Sequence, residues 1–431
     1  MAPSTISKNV VLIVVARHYL KSPDFNGISA IDLAAALKTP WPALIEPLRT
    51  LVNNDQVGIL GEGTDIDTHV LRMGFPSREM QLSLLERPPS PHTCIYPRLK
   101  HLAKVVDPGK YADRPYRLAL ALGEPQLAYR VFDLAVLEDY RKNSRYRYWT
   151  NDVGGQICIN GERRDDTSGS GGVQVLLPTF GFAYDATQTR AVAVLLHYLA
   201  ALTPKHQKIW KGRELKGTFE LYPDYFGTTI LGNPPEGASI FAAVVAEIKL
   251  INELARAMGR PDLFHEHYEP DGEDRVRDFT CLARPTAGEF NEFVRVLDKL
   301  LSESLNREFF RTDVPSETGP GRPDGNAISH QKGTLEMLVD WGSRTFLPSQ
   351  LDRWLQACRA IRKVRSLRQR PEHAADENAL DQAYVKKQRD LVISAYKSLH
   401  VVREMMSQQP SAAGVHLAVP KWMRNGRVWA V

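Results

Sequence analysis

The stretch SAIDLAAALKTPWPALIEPLRTLVN, residues 29–53, reads as two short helices separated by one tight break. Ser29 is placed to cap the first helix, Ala30 to Leu37, whose Ala and Leu content favours helix. Lys38-Thr39-Pro40 interrupts it, because the residue before a proline is pushed out of helical geometry. The second helix, Trp41 to Asn53, sets Leu44, Leu48 and Leu51 on one side, the spacing of a buried stripe. Upstream, Val10 to Leu20 has the same helical period and ends before Pro23 and the Asn26-Gly27 turn. Downstream, Gln56 to Leu60 and His69 to Met73 read as two strands of a hairpin whose tip is Gly61 to Asp65.

Helix, helix-turn-helix and hairpin together resemble the winged-helix fold over residues 8–74. The chemistry of the candidate recognition helix is unusual, since Trp41 to Asn53 carries only Arg49 as a base and the hairpin is acidic at Glu62, Asp65 and Asp67. A helix that reads DNA brings several Lys, Arg, Asn or Gln to phosphates and base edges. DNA reading and a protein-docking or purely structural role both remain open for this unit.

The whole chain has 431 residues, room for about two to four compact units. With 43% hydrophobic and 24% charged residues it can build and cover a core, which excludes wholesale disorder. The expected class is α+β, predominantly α-helical: a winged-helix-like unit (1–85), a central mixed α/β region (95–285), a C-terminal helical bundle (287–410) and a basic, aromatic tail (411–431). Lys and Arg exceed Asp and Glu by 55 to 50, so the placement of the bases matters more than their sum. Cys94, Cys158, Cys281 and Cys358 form no CxxC pair, which fits a reducing cytoplasm. The longest apolar runs are too short to span a bilayer, and no signal peptide is expected at the start. No cofactor is implied. Gly154-Gly155 and Thr167 to Gly172 lack a phosphate-binding motif, and His265-Glu266-His267 lacks the i, i+4 spacing of helical metal ligands, so no metal is expected.

In the central region the proline-rich residues 86–97 read as a linker, Gln126 to Tyr140 as an amphipathic helix, Ala191 to Leu202 as an apolar helix, and Ile240 to Met258 as a helix closed by Gly259. Between the first two helices, Arg141, Lys142, Arg145 and Arg147 are interleaved with Tyr140, Tyr146, Tyr148 and Trp149. Cations for phosphates beside aromatic faces for bases are what a single-stranded nucleic-acid groove requires. The same alternation also describes a strand whose rings face a core and whose arginines face water.

The C-terminal region reads as four helices, Gly288 to Glu303, Gln331 to Phe346, Ser349 to Leu367 and Asp376 to Ser407. The third carries Arg359, Arg362, Lys363, Arg365 and Arg368, a stripe that is either solvated or bound to a polyanion. It runs into Arg368-Gln369-Arg370-Pro371-Glu372-His373. This stretch, within the four-helix outline of residues 287–410, resembles the HEPN superfamily, whose ribonuclease members carry an Arg, a polar residue, three variable residues and a His. The resemblance implies a metal-independent endoribonuclease acting as a dimer, with Arg368 on the scissile phosphate, His373 as general acid or base and Gln369 in the polar position. Such roles suit the chemistry of the two side chains, a permanent planar cation and a group that titrates near neutrality. The alternative is an Arg-rich helix end followed by His373 near the N-cap of the last helix. The expected partner is nucleic acid, RNA in preference to DNA, together with a second copy or a partner protein. The functions that remain are a ribonuclease, a non-catalytic nucleic-acid-binding or adaptor protein, and a transcription regulator.

Overall fold

The protein is described by a computed structural model over residues 6–159, 174–265, 279–316, 331–369 and 377–430, and it is a mixed α+β structure. Its N-terminal unit follows the order α1 (Lys8–Lys21), β1 (Ile28–Ser29), α2 (Ala30–Leu37), α3 (Trp41–Asn53), β2 (Val57–Leu60), α4 (Arg78–Leu85) and β3 (Cys94–Pro97). Ser29 caps α2 as expected: its hydroxyl accepts from the Asp32 amide at 3.0 Å and donates to the Asp32 carboxylate at 2.7 Å. Lys38 ends the helix with a φ of +50°, a left-handed turn that stops propagation. The three strands form an antiparallel sheet in the order β1-β3-β2.

Here the hairpin differs from its sequence reading. Val57–Leu60 pairs with Cys94–Pro97, while His69 to Met73 forms no strand. The prolines around residue 90 suggested a linker and masked the apolar triplet Cys94-Ile95-Tyr96, which is fully buried between β1 and β2. Residues 61–93 therefore form a long excursion that contains α4, tied to α3 by the Trp41 indole donating to the Leu85 carbonyl at 3.3 Å.

The central sheet is antiparallel, in the order β4-β8-β7-β6-β5, with β9 added to the end of β7. Its strands are β4 (Tyr129–Phe132), β5 (Tyr146–Thr150), β6 (Gly154–Ile159), β7 (Gln174–Tyr184), β8 (Arg190–Leu195) and β9 (Glu220–Leu221). Two segments expected as helices are strands here. Gln126 to Tyr140 contains β4, followed by a short 3-10 turn capped by Asp133 and then by a helix at Glu138–Arg141. Ala191 to Leu202 begins as β8 and turns helical only at Leu196. Every residue of β8 is buried, and a continuous apolar run does not reveal by its period whether it is strand or helix. Its alternating Ala and Val, flanked on both sides by strands, resolve it as sheet.

Against the sheet lie α5 (Pro204–Gly212) and a layer of longer helices. The four C-terminal helices are present, α7 (Ala287–Asp298, continued by a π turn to Glu303), α8 (Thr334–Thr345), α9 (Pro348–Gln369) and α10 (Ala383–Ser407), with α8 starting three residues after the expected Gln331 and α10 starting at Ala383 instead of the expected Asp376. Helix α6 (Ile240–Ala257) packs along α10, which also packs on α9, and one continuous hydrophobic core joins sheet and helices. Phe241, Phe279 and Phe293 meet at the junction, with the last two rings stacked at 5.9 Å. A parallel pair, β10 (Ala238–Ser239) with β11 (Val428–Trp429), fixes the tail to the start of α6. Gly237 is required there, since a Cβ would sit 2.2 Å from the Trp429 indole nitrogen.

Candidate nucleic-acid interface

Strand β5 resolves the basic and aromatic run into two faces. Period-two geometry turns Tyr146 and Tyr148 inward, half-buried, and leaves Arg147 and Trp149 outward. The inward face is anchored by α5, which presents His206 and Trp210 one turn apart. The Trp210 indole donates to the Tyr140 hydroxyl at 2.7 Å, and the same hydroxyl shares a hydrogen bond with His206 Nδ1 at 3.0 Å. His206 Nε2 shares a second hydrogen bond with the Tyr146 hydroxyl at 3.1 Å. Burial, followed by the nearby Lys205 charge, lowers the His206 pKa, and burial raises that of Tyr140. Both shifts favour the uncharged imidazole beside the uncharged Tyr140 phenol. In the sequence, the i, i+4 spacing of His206 and Trp210 on one helix is the signal that they share a face.

The outward face is cationic and aromatic. Arg147 is exposed, and Trp149, 59% exposed, stands beside it on the same strand face. Arg141, Lys142 and Arg145, also exposed, line the turn that leads into the strand. Arg141 lies 3.9 Å from Glu138, whose carboxylate is held more closely by Arg284 at 2.6 Å. Among the described residues β5 is the last strand of its sheet, so its outer backbone edge is open. The structure therefore brings Arg141, Lys142, Arg145 and Arg147 together with Trp149. Tyr146 and Tyr148, candidates for base stacking by their type, are engaged with the core instead.

The basic stripe of α9 also divides. Arg359, Arg362 and Lys363 are exposed to solvent. Arg365 and Arg368 turn toward α7, where Arg368 Nη1 meets the buried Asp298 carboxylate at 2.9 Å and also contacts Glu303, and Arg365 lies 3.9 Å from Asp298. These two carboxylates raise the Arg368 pKa further. In this arrangement one guanidinium nitrogen, Nη1, is shared by two protein carboxylates. Gln369 is exposed at the helix end, and His373 lies outside the described residues. Cys358, beneath the stripe, has its thiol pushed up to about 12 by burial and is not a nucleophile at neutral pH.

Elsewhere, Arg49 on α3 is held by Glu46 and Glu86, so α3 offers no unpaired base. The His265 amide donates to the Ser304 carbonyl at 2.7 Å; Glu266, His267 and the glycine-rich Thr167 to Gly172 lie outside the described residues. Among the described residues no cluster of His, Cys, Asp and Glu could hold a metal ion, and no helix is long and apolar enough to cross a membrane. Comparison with family models, curated proteins and solved structures gives no match to the chain.

Proposed function

We propose that the chain is a nucleic-acid-associated protein that holds single-stranded RNA across the outward face of β5. The observation that supports this reading is the pairing of exposed Arg147 with exposed Trp149 on an open sheet edge, preceded by Arg141, Lys142 and Arg145. A cation neutralises phosphate and an indole stacks on a base regardless of its identity, so the expected binding is tight at low salt and weakly sequence-dependent. The N-terminal unit, with its β1-β3-β2 sheet and helices α1 to α3, is read as a winged helix used for docking or support, because its third helix has its one arginine engaged.

Binding of a labelled single-stranded RNA, followed by fluorescence anisotropy, tests the proposal. Loss of affinity in an Arg147→Ala, Trp149→Ala double variant supports it, and unchanged affinity removes it. The ribonuclease reading of Arg368, Gln369 and His373 in a helical bundle requires Arg368, held at Nη1 by Asp298 and Glu303, to reach a phosphate as well. The same RNA incubated with EDTA, and compared between wild type and His373→Ala, reads that activity separately.

A further inference from the structure

Strand β5 ends the central sheet, and its ladder with β6 fixes which backbone groups face away from the sheet. The Asn151 amide donates to the Gly154 carbonyl at 2.8 Å, so residue 151 belongs to a hydrogen-bonded pair of the β5–β6 hairpin. Such pairs recur at every second residue of an antiparallel ladder, and the register runs unbroken through Trp149 with Gln156 and Arg147 with Cys158. The amides and carbonyls of Arg147 and Trp149 therefore point at β6, and those of Tyr146, Tyr148 and Thr150 point out of the sheet. Of these, the Tyr146 amide donates to the Asn143 carbonyl at 2.9 Å. The Tyr146 carbonyl and both backbone groups of Tyr148 and Thr150 have no hydrogen-bond partner among the described residues.

This set is complementary to itself. In an antiparallel pairing of two copies about a two-fold axis at Tyr148, each Tyr148 amide meets the other copy's Tyr148 carbonyl, and each Thr150 amide meets the other copy's Tyr146 carbonyl. All 5 residues of β5 overlap, and the amide left out is the one already engaged with Asn143. Arg147 then stands opposite Trp149 of the second copy in a non-hydrogen-bonded pair, where Cα atoms approach to about 4.5 Å and side chains are closest. Both residues are exposed on one face, so guanidinium and indole can stack across the seam on each side of the axis. Moving the axis to Arg147 sets two arginines face to face and pairs only Tyr146–Tyr148, and moving it to Trp149 pairs only Tyr148–Thr150. The charge that guards this edge against indiscriminate pairing thus selects one register.

We propose that β5 is the seam of a homodimer in which two central sheets join edge to edge and the Arg147 and Trp149 faces of the two copies become continuous. The pairing does not rest on the RNA reading. Sedimentation velocity of the nuclease-treated full chain over a dilution series tests it, with no nucleic acid present, so a failure of RNA binding leaves the result untouched. A monomer–dimer equilibrium is expected, on the weak side because one strand pair buries little surface. Thr150→Pro removes an amide that the monomer does not use, at an edge where proline is tolerated, and should abolish the dimer while circular dichroism stays as in wild type. Trp149→Ala, at an exposed position, should weaken the dimer about tenfold by loss of both cation–π contacts. A wild type that stays monomeric at every concentration overturns the proposal. So does a dimer that persists in Thr150→Pro or keeps its full affinity in Trp149→Ala, since either would be held by another surface.

Discussion

Arg368 reaches from α9 to the carboxylate of Asp298 on α7, with Nη1 to Oδ2 at 2.9 Å, and Asp298 itself is fully buried. The Ser302 hydroxyl also donates to that carboxylate. A buried carboxylate needs such company, because removing one partner leaves a charge without compensation.

Arg368→Ala is therefore expected to destabilise the protein. The Arg368 side chain is 35% exposed and Arg365 stands by, so the cost is put at about 1–2 kcal/mol rather than the full cost of breaking a buried pair. Urea denaturation should show a lower midpoint with an unchanged slope. An unchanged midpoint combined with loss of RNA cleavage would instead place Arg368 at a phosphate.

On β5, Trp149→Ala should weaken single-stranded RNA binding by about 1–3 kcal/mol, the range for loss of one stacking platform. Arg147→Ala should lower the slope of log affinity against log salt by about 0.7, one phosphate contact on a single strand. Tyr148→Phe, on the inward face, should leave both quantities unchanged. An effect of Tyr148→Phe equal to that of Trp149→Ala would show that the faces have been assigned wrongly.

His206 gives a pH dependence with a definite sign. Its pKa is lowered on folding, so below the ordinary value near 6.5 the unfolded chain takes up the proton first and stability falls as the medium is acidified. His400 acts the other way: its hydrogen bond to Glu247 raises its pKa, giving a contribution that is present in acid and lost as pH rises through the folded value. The difference in Tm between wild type and His206→Gln, measured from pH 7.5 to 5, should shrink toward acid pH. A constant difference would mean that the imidazole does not titrate differently in the two states.

Gly342 on α8 faces the Trp354 ring of α9 so closely that an added Cβ would lie 2.0 Å from the indole nitrogen. Alanine improves helix propensity by up to about 1 kcal/mol, but overpacking a buried ring costs about 1–3 kcal/mol. Gly342→Ala is expected to be net destabilising in chemical denaturation; a stabilised variant would mean that Trp354 moves aside freely.

The helices were legible wherever one face was apolar and the other polar, as in α3 with Leu44, Leu48 and Leu51, or α10 with Leu391, Ala395, Leu399 and Val402. Legibility failed where burial removed the contrast. Strand β8 is apolar on both faces, and β3 is a short apolar triplet beside prolines, so local pattern favoured helix in one case and linker in the other. The long excursion of residues 61–93 moved the partner of β2 beyond the reach of hairpin rules, which assume short connections. For the proposed RNA face, alternation of Arg and Tyr indicated a two-faced strand, but only burial in the folded sheet identifies which rings are available. The occupation of Arg368 by Asp298 was hidden for a different reason: the pairing spans residues 298 and 368, and spacing along one helix carries no information about a second.

The parallel pair of β10 and β11 has a bearing on synthesis. Ser239 opens α6, yet its strand partner, Trp429, is translated nearly two hundred residues later. Throughout that interval the entrance to the helix has no strand beside it on the growing chain, and Glu247, whose charge is matched by Arg403, waits almost as long. Closure of α6 therefore waits for the tail to be made, and a product lacking Val428–Trp429 would leave Ala238–Ser239 without its strand partner.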